Sequence, residues 1–175
     1  MEWKSMNETQ RKEWLGKHSK EVLERVGIRE GCVVLDFGCG TGAYAIPAAR
    51  LAGSRGRVYA LDKDKVALGG LGRKALKEGL RNIQTILSSD LDTSLGDECV
   101  DVVLLHDVIH LIDERAALFE KVYKVVKPDG QVSVYPMHVD SDEVSRQMRE
   151  SGFSLAAEEY EGSILVFRKA NGGRC

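Results

Sequence analysis

Residues 33–42 have the sequence VVLDFGCGTG, and this stretch decides the fold prediction. Its first five residues are apolar and β-branched for the most part, a composition typical of a buried parallel strand. Gly38, Gly40 and Gly42 then follow at every second position. Glycines let the backbone turn tightly and approach a ligand closely, and the next helix presents free N–H groups there. The stretch therefore predicts a strand, a ligand-binding loop and a helix in succession.

Strands and helices are predicted to alternate along most of the remaining chain. Strand patterns follow at RVYALD, NIQTIL, VDVVLLH and QVSVYP, and helical patterns lie between them at AYAIPAARLA, DKVALGGLGRKALKEGL and ERAALFEKVYKVV. The last of these helices is expected to stop at the turn formed by residues 127–130, KPDG. A further helix is expected to open at Ser141 and to close at Gly152. This alternation predicts an α/β fold with a doubly wound sheet.

The two ends of the chain differ from this alternating pattern. FSLAAEEY and SILVFRK flank Glu161 and Gly162, and so short a connection makes two strands antiparallel. The first thirty residues are charged and helical, with Ser19 as the expected cap of a short helix that ends at Gly27. We therefore divide the chain into an N-terminal helical segment available as a lid (1–30), a ligand-binding domain (31–169) and a flexible tail (170–175).

Composition narrows the possible functions. The chain has 175 residues, of which 43% are hydrophobic and 30% charged, as expected for one globular domain without a stabilising disulfide or metal. The net charge of −2 provides no strong field for nucleic acid or an anionic membrane. The longest stretch without a charged residue, 37–49, is too short to span a bilayer, and the N-terminus lacks the apolar core of a signal peptide. A cytoplasmic location is the expectation.

No metal site is expected from the sequence. The four cysteines form no CxxC pair, and their spacing fits no zinc finger or ribbon, so reduced thiols packed as small hydrophobic groups are expected. His106 and His110 are four residues apart, but this spacing alone is a weak indication of a metal site.

Three acidic residues occupy the ends of the first three predicted strands. Asp36 ends the first strand, and Asp62, 24 residues after Gly38, ends the second, where a carboxylate can accept hydrogen bonds from both hydroxyls of a ribose. Asp90 follows the third strand and is placed to meet the edge of an adenine. Residues 38–43, GCGTGA, also satisfy the GxGxxA pattern of a nicotinamide dinucleotide site. Asp36 before the first glycine, the additional Gly42 and the terminal hairpin oppose that alternative.

These motifs together resemble those of class I S-adenosylmethionine-dependent methyltransferases, over about residues 31–169. The resemblance implies the strand order 3-2-1-4-5-7-6 with an antiparallel seventh strand, to which the terminal hairpin is similar. KPDGQVSV resembles the family's turn into strand five. VDVVLLHDVIHLI is closest to small-molecule methyltransferases of the ubiquinone and menaquinone C-methyltransferase type. The implied cofactor is S-adenosylmethionine, converted to S-adenosylhomocysteine, and the implied partner is a small-molecule acceptor.

The resemblance also implies roles for individual positions. Asp36 and the backbone of residues 37–42 would hold the methionine end of the cofactor. Asp62 would take the ribose hydroxyls, and Asp90 the adenine amino group. His106 would lie near the cofactor's amino group through its backbone carbonyl. The complete set of expected cofactor-binding residues is Asp36, Phe37, Gly38, Cys39, Gly40, Gly42, Asp62, Lys63, Ser89, Asp90, Leu91 and His106.

The expected site of chemistry follows from the implied strand order. Ligands of open α/β sheets bind where the strand order reverses, here between strands one and four, so residues 106–110 would face the transferred methyl group. Methyl transfer is an in-line displacement in which the protein mainly aligns the acceptor. Asp107 and His110 are the nearest candidates for a general base, followed by Tyr135 and His138. Structural roles, as a loop cap for Asp107 and as a packing residue for His110, remain open.

Two functions outside methyl transfer also remain open at this point. A cofactor-binding regulatory or partner subunit without catalysis would carry the same motifs. A dinucleotide-binding protein is the third possibility and explains fewer of the observed residues.

Overall fold

The computed structural model describes residues 3–170, whose strands form a single seven-stranded sheet. The strands are β1 (Val33–Phe37), β2 (Arg57–Asp62), β3 (Ile83–Leu87), β4 (Val100–His106), β5 (Val126–Tyr135), β6 (Phe153–Glu159) and β7 (Ile164–Lys169). They lie in the order β3-β2-β1-β4-β5-β7-β6. β7 runs antiparallel to β5 and β6, and the other pairs are parallel. The predicted fold class, strand order and terminal hairpin are confirmed.

Six α-helices accompany the sheet in this part of the chain. They are α1 (Glu8–Lys17), α2 (Ser19–Arg25), α3 (Ala45–Ala52), α4 (Lys65–Lys77), α5 (Arg115–Val125) and α6 (Ser141–Glu150). Short 3-10 turns cover Trp3–Ser5 and Ile109–Leu111. Within residues 3–170, no helix is both long and apolar enough to cross a membrane.

Each face of the sheet carries its own hydrophobic core. Alternate side chains of the central strands point to opposite faces, so Val34 and Leu104 belong to one core while Leu35 and Leu105 belong to the other. Helices α2, α3 and α4 cover the first face, and α5 and α6 cover the second. Because both faces are covered, the carboxyl edge of the parallel strands is left for ligands.

The N-terminal segment is packed into the first core. Leu15, Val22, Leu23 and Val26 are all fully buried there. The lid role of residues 1–30 and the domain boundaries stay predictions. Apart from Ala170, whose N–H donates to the Gly152 carbonyl, the predicted tail lies outside the described residues.

The expected cap at Ser19 is wrong. Ser19 is the first residue of α2, and His18 is its N-cap without a side-chain hydrogen bond. The backbone N–H of His18 donates to the Trp14 carbonyl at the end of α1, and its ring stacks on the Trp14 indole with 4.0 Å between centroids. His18 therefore ends one helix and precedes the next, which leaves no extended residue for a serine cap.

The expected turn at residues 127–130 is part of a strand. β5 begins at Val126, directly after α5, and the register shifts between the pairs Val100–Val126 and Val102–Gln131. Such a bulge leaves extra residues unpaired, so a proline is tolerated inside it. Lys127 Nζ lies 2.7 Å from Asp101 Oδ1 and ties the bulge to the neighbouring strand. The helix does stop where the sequence indicated, but the chain continues as a bulged strand.

Candidate cofactor and acceptor site

A cavity of about 560 Å³, including its open mouth, lies at the carboxyl ends of β1 to β4. Its lining residues are Phe37, Gly38, Leu61, Asp62, Lys63, Ser88, Ser89, Leu91, Asp107, Val108, Leu111 and Ile112. Half of the expected cofactor-binding residues and the catalytic candidate Asp107 are thus brought together. Asp36, Cys39, Gly40, Gly42, Asp90, His106 and His110 are outside this lining.

The glycine loop is fixed between the ends of β1 and β2. The N–H groups of Gly38 and Cys39 both donate to the Leu61 carbonyl, at 2.8 and 3.0 Å. The Cys39 side chain is buried, and this burial raises the pKa of its thiol, so the thiol stays protonated and packs as an apolar group. The loop can therefore offer only its backbone to a ligand at this position.

The three glycines of the loop are required for different reasons. All have positive φ, which L side chains rarely adopt. A Cβ on Gly38 would lie 2.4 Å from Val108 Cγ2, and one on Gly42 would lie 2.4 Å from Leu71 Cδ1. A Cβ on Gly40 would meet nothing within 4 Å. Gly38 and Gly42 are thus explained by packing, whereas Gly40 faces open space.

Asp62 links the loop to the end of β2. Its Oδ2 accepts a hydrogen bond from the Gly40 N–H at 2.8 Å, and its Oδ1 accepts one from the Asp64 N–H at 2.9 Å. Each carboxylate oxygen has a further lone pair. Asp62 can therefore accept ribose hydroxyls while it holds the loop in place.

Asp36 provides a buried carboxyl group beneath the loop. It is 2% exposed, and in the described part of the chain its Oδ2 has no hydrogen-bond partner. Burial raises the pKa of Asp36 to about 7. The backbone hydrogen bond from Ala45 lowers this pKa in part, and the nearby Asp62 charge adds a smaller increase. A buried carboxylate is stabilised by a cationic partner. The ammonium group at the methionine end of S-adenosylmethionine is such a partner, so the residues fit this cofactor.

Asp90 lies at the rim of the cavity rather than in its wall. Its carboxylate accepts hydrogen bonds from Ser88 Oγ at 2.9 Å and from the Asp92 N–H at 3.3 Å, and the Ser88 hydrogen bond in particular holds the pKa of Asp90 below its usual value. In the free protein the carboxylate is thus engaged within its own loop. The adenine contact of Asp90 stays a prediction. Ser88 and Leu91 line the cavity at this end, and Ser88 was missed from the sequence.

His106 is buried behind the site. Its Nε2 hydrogen-bonds Ser133 Oγ at 2.8 Å, and burial lowers its pKa to about 3, so the ring is neutral. The ring meets Tyr44 edge-on, with 4.7 Å between centroids. Burial also raises the pKa of Tyr44, with further contributions from Asp36, Tyr135 and Asp107 in that order. The Tyr44 hydroxyl therefore stays protonated and lies among the site residues. In the sequence, only the position of Tyr44 just after the glycine loop indicates this role.

Asp107 is held in an unusual conformation at the end of β4. Its φ is 56°, in the left-handed region that Asp tolerates better than most residues. Its carboxylate forms an ion pair with Lys12 of α1. His110 Nδ1 lies 4.0 Å from Asp107 Oδ1, and the His110 ring packs against His138 with 4.9 Å between centroids. The structure thus brings Asp107, His110 and His138 together and adds Lys12, which sequence reasoning missed.

The methyltransferase domain family matches residues 28–166, about four-fifths of the chain. The chain belongs to this family. A sterol 24-C-methyltransferase of Gibberella zeae is 24% identical over 159 residues, which cover 90% of this chain and 41% of that protein. A demethylmenaquinone methyltransferase of Bacillus velezensis is 29% identical over 124 residues, which cover 70% of this chain and 51% of that protein. The chain therefore spans about half the length, or less, of these curated relatives.

The fold of this methyltransferase domain is also found in solved structures. A S-adenosylmethionine-dependent methyltransferase from Aquifex aeolicus superposes with a TM-score of 0.77 at 23% identity, over 93% of this chain and 97% of that one. The resemblance to class I methyltransferases is confirmed, and S-adenosylmethionine is the cofactor of the family.

The raised pKa of Asp36 predicts that S-adenosylhomocysteine binds this methyltransferase domain with a pH-dependent affinity. Because that pKa is about 7, a fraction of the free protein carries a neutral Asp36 near neutrality, whereas the ligand's ammonium favours the carboxylate. Affinity for S-adenosylhomocysteine is expected to rise about tenfold between pH 6 and pH 8, in proportion to the ionised fraction of Asp36. Calorimetry near pH 6.5 in buffers of different ionisation enthalpy is expected to detect proton release on binding.

Asp36→Asn is the matched control for this titration. In the wild type, protonation of Asp36 contributes stability that is fully present below its unfolded pKa of 3.8 and is lost as the pH rises through about 7. The asparagine variant lacks this titration, so both its stability and its affinity are expected to change less over that range. Proton release that persists in Asp36→Asn would assign the titration to another group.

Proposed function

We propose that the protein is an S-adenosylmethionine-dependent methyltransferase that acts on a small-molecule acceptor. The observation that carries the proposal is the open face of Gly40, whose N–H donates to the Asp62 carboxylate, together with the buried, partly unpaired carboxyl group of Asp36 at the end of β1. The family match and the relatives that act on quinones and sterols support the same conclusion.

Each part of the carboxyl edge has a proposed role. Asp36, with the backbone of residues 37–42, binds the methionine end of the cofactor, and Asp62 binds the ribose hydroxyls. Lys63, Ser89 and Leu91 surround the adenine, with Asp90 at its outer edge. The backbone carbonyl of His106 accepts a hydrogen bond from the cofactor's amino group.

The bound cofactor supplies an electrophilic methyl carbon, and the chain supplies alignment and exclusion of water. Val108 packs against Gly38 and closes the cavity from the β4 side. Lys12 and Glu8 hold α1 against the ends of β4 and β5, through Asp107 and His138. These contacts hold α1 beside the acceptor side of the site. A cytoplasmic location and a site for small molecules rather than nucleic acid complete the proposal.

Thermal denaturation with two ligands tests the cofactor part of the proposal. At a concentration 100 times its dissociation constant, S-adenosylhomocysteine is expected to stabilise the fold by about 2.7 kcal/mol, because it binds only the native state. NADH at the same concentration is expected to have no effect. A shift seen only with NADH would contradict the proposal and favour a dinucleotide-binding protein.

A binding subunit without catalysis is the second candidate. The ion pair between Lys12 and Asp107 favours this candidate, because it engages the carboxylate of the nearest candidate base. Incubation with a metabolite extract and S-adenosylmethionine labelled in the methyl group separates the two candidates. A methyltransferase releases S-adenosylhomocysteine and labels an acceptor. A binding subunit retains the thermal shift and does neither.

A further inference from the structure

Helix α1 presents three charged side chains toward the site, and two of them have partners. Glu8 Oε1 lies 3.1 Å from His138 Nδ1, and Lys12 pairs with Asp107. Arg11 lies between them in sequence, and within residues 3–170 no carboxylate forms an ion pair with it. Its Nε is buried without a hydrogen-bond partner in that part of the chain. Its guanidinium group is placed over the Trp3 ring, 5.7 Å from the centroid.

Arg11 lines a second cavity, of about 650 Å³ including open solvent, between α1, the end of β5 and the turn between β6 and β7. Tyr135 lines this cavity as well and is the register partner of His106. The Asp107 N–H donates to the Tyr135 carbonyl at 3.3 Å. Asp107 belongs to the lining of the first cavity, so this backbone hydrogen bond joins a lining residue of one cavity to a lining residue of the other.

Neither acid in the lining of this second cavity forms an ion pair with Arg11. Glu8 is engaged by His138, and Glu161, also in the lining, is exposed in the turn after β6. The pKa of the Tyr135 hydroxyl is raised by burial, with smaller raising effects of Glu8 and Asp107 and a lowering effect of Arg11, so all three charges act on this hydroxyl. Arg11 therefore lines the cavity without an ion-pair partner among the described residues, and a ligand carboxylate would supply one.

We propose that Arg11 binds a carboxylate of the methyl acceptor, so that the acceptor is a small carboxylic acid. The planar guanidinium group matches a carboxylate with two parallel hydrogen bonds, and its cation–π contact with Trp3 helps to hold it beside the cavity. A carboxylate held there directs the remainder of the molecule along Tyr135 toward Asp107 and the cofactor cavity. This inference rests on the proposed methyltransferase function.

Matched pairs of acids and amides test the inference without knowledge of the natural acceptor. The protein saturated with S-adenosylhomocysteine is titrated by calorimetry with acetate and acetamide, benzoate and benzamide, and phenylacetate and phenylacetamide. At least one acid is expected to bind about tenfold or more tightly than its amide, as a charged hydrogen bond predicts. Arg11→Gln is expected to abolish this preference, and Arg11→Lys to retain a weaker one. Lys17→Gln, an exposed substitution on the same helix, is expected to leave it unchanged.

The outcomes separate this inference from the proposed function. No preference for any acid in the wild type, or a preference that survives in Arg11→Gln, overturns the role of Arg11. The S-adenosylhomocysteine thermal shift is measured on every variant as a check of folding and of the cofactor site. Its absence in the wild type would count against the proposed function itself, whereas a normal shift without acid preference counts only against Arg11.

Discussion

Gly40→Val is expected to abolish S-adenosylmethionine binding while the protein stays folded. The Gly40 Cβ position is open in the free protein, so the branched side chain would occupy the space into which we place the methionine moiety. The substitution also strains the backbone, because φ at Gly40 is 50° and β-branched residues avoid this region. We expect a loss of affinity of roughly 100-fold or more, the effect of excluding a ligand from its contact with the backbone. Calorimetry with S-adenosylhomocysteine measures it.

Gly79→Val separates occlusion of the site from backbone strain. Gly79 also has a positive φ, 70°, and a Cβ there would likewise meet nothing within 4 Å. It follows α4, away from the cofactor cavity, so its substitution is expected to lower the melting temperature without changing affinity. Equal affinity in Gly40→Val and the wild type would show that the loop does not contact the ligand.

The sheet could be predicted because its determinants are local in sequence. β1, β2 and β4 are short, mostly apolar runs, and the acids Asp36 and Asp62 lie at the ends of the first two. Parallel strands then bring Asp36 and Asp62 to the same edge without any knowledge of packing. The strand order itself came from the resemblance, since periodicity alone does not specify which strands are neighbours.

The bulge in β5 could not be predicted because tertiary contacts override the local signal. Pro128 and Gly130 favour a turn, yet a Cβ at Gly130 would lie 2.9 Å from the Asp101 carbonyl, so the glycine allows the strand to stay against β4. The side chain of Lys127 adds its ion pair with Asp101. None of these contacts leaves a periodic pattern in the sequence.

The acceptor side of the site was missed for a related reason. Lys12 and Arg11 lie on a helix with little apolar periodicity, far along the chain from Asp107 and Tyr135. Their positions depend on aromatic packing of α1 onto the β6–β7 hairpin, where the Trp14 and Tyr160 rings lie 5.4 Å apart. A single sequence contains no signal for such a contact, so the glycine loop could be predicted and this surface could not.

The role of Asp107 distinguishes a mechanism that uses a general base from one that relies only on alignment of the acceptor. Its carboxylate lines the cofactor cavity, and its backbone joins that cavity to the one lined by Tyr135. Lys12 neutralises its charge in the free protein. Lys12 is about half exposed, and a solvent-exposed ion pair of this kind contributes little stability. Asp107 can therefore exchange Lys12 for a contact with the acceptor.

Asp107→Asn is therefore expected to lower turnover by about 10²–10⁴-fold, the range for loss of a general base, with little change in affinity for S-adenosylhomocysteine. Asparagine is the suitable replacement, since it tolerates the positive φ of this position and removes only the charge. The measurement is single-turnover methyl transfer to the acceptor found in the metabolite screen, with His110→Gln in parallel. Asp113→Asn, an exposed carboxylate in the following loop, serves as the control that should retain wild-type turnover. If Asp107→Asn and His110→Gln both turn over like the wild type, neither residue acts as a base, and alignment of the acceptor against the methyl group accounts for the reaction.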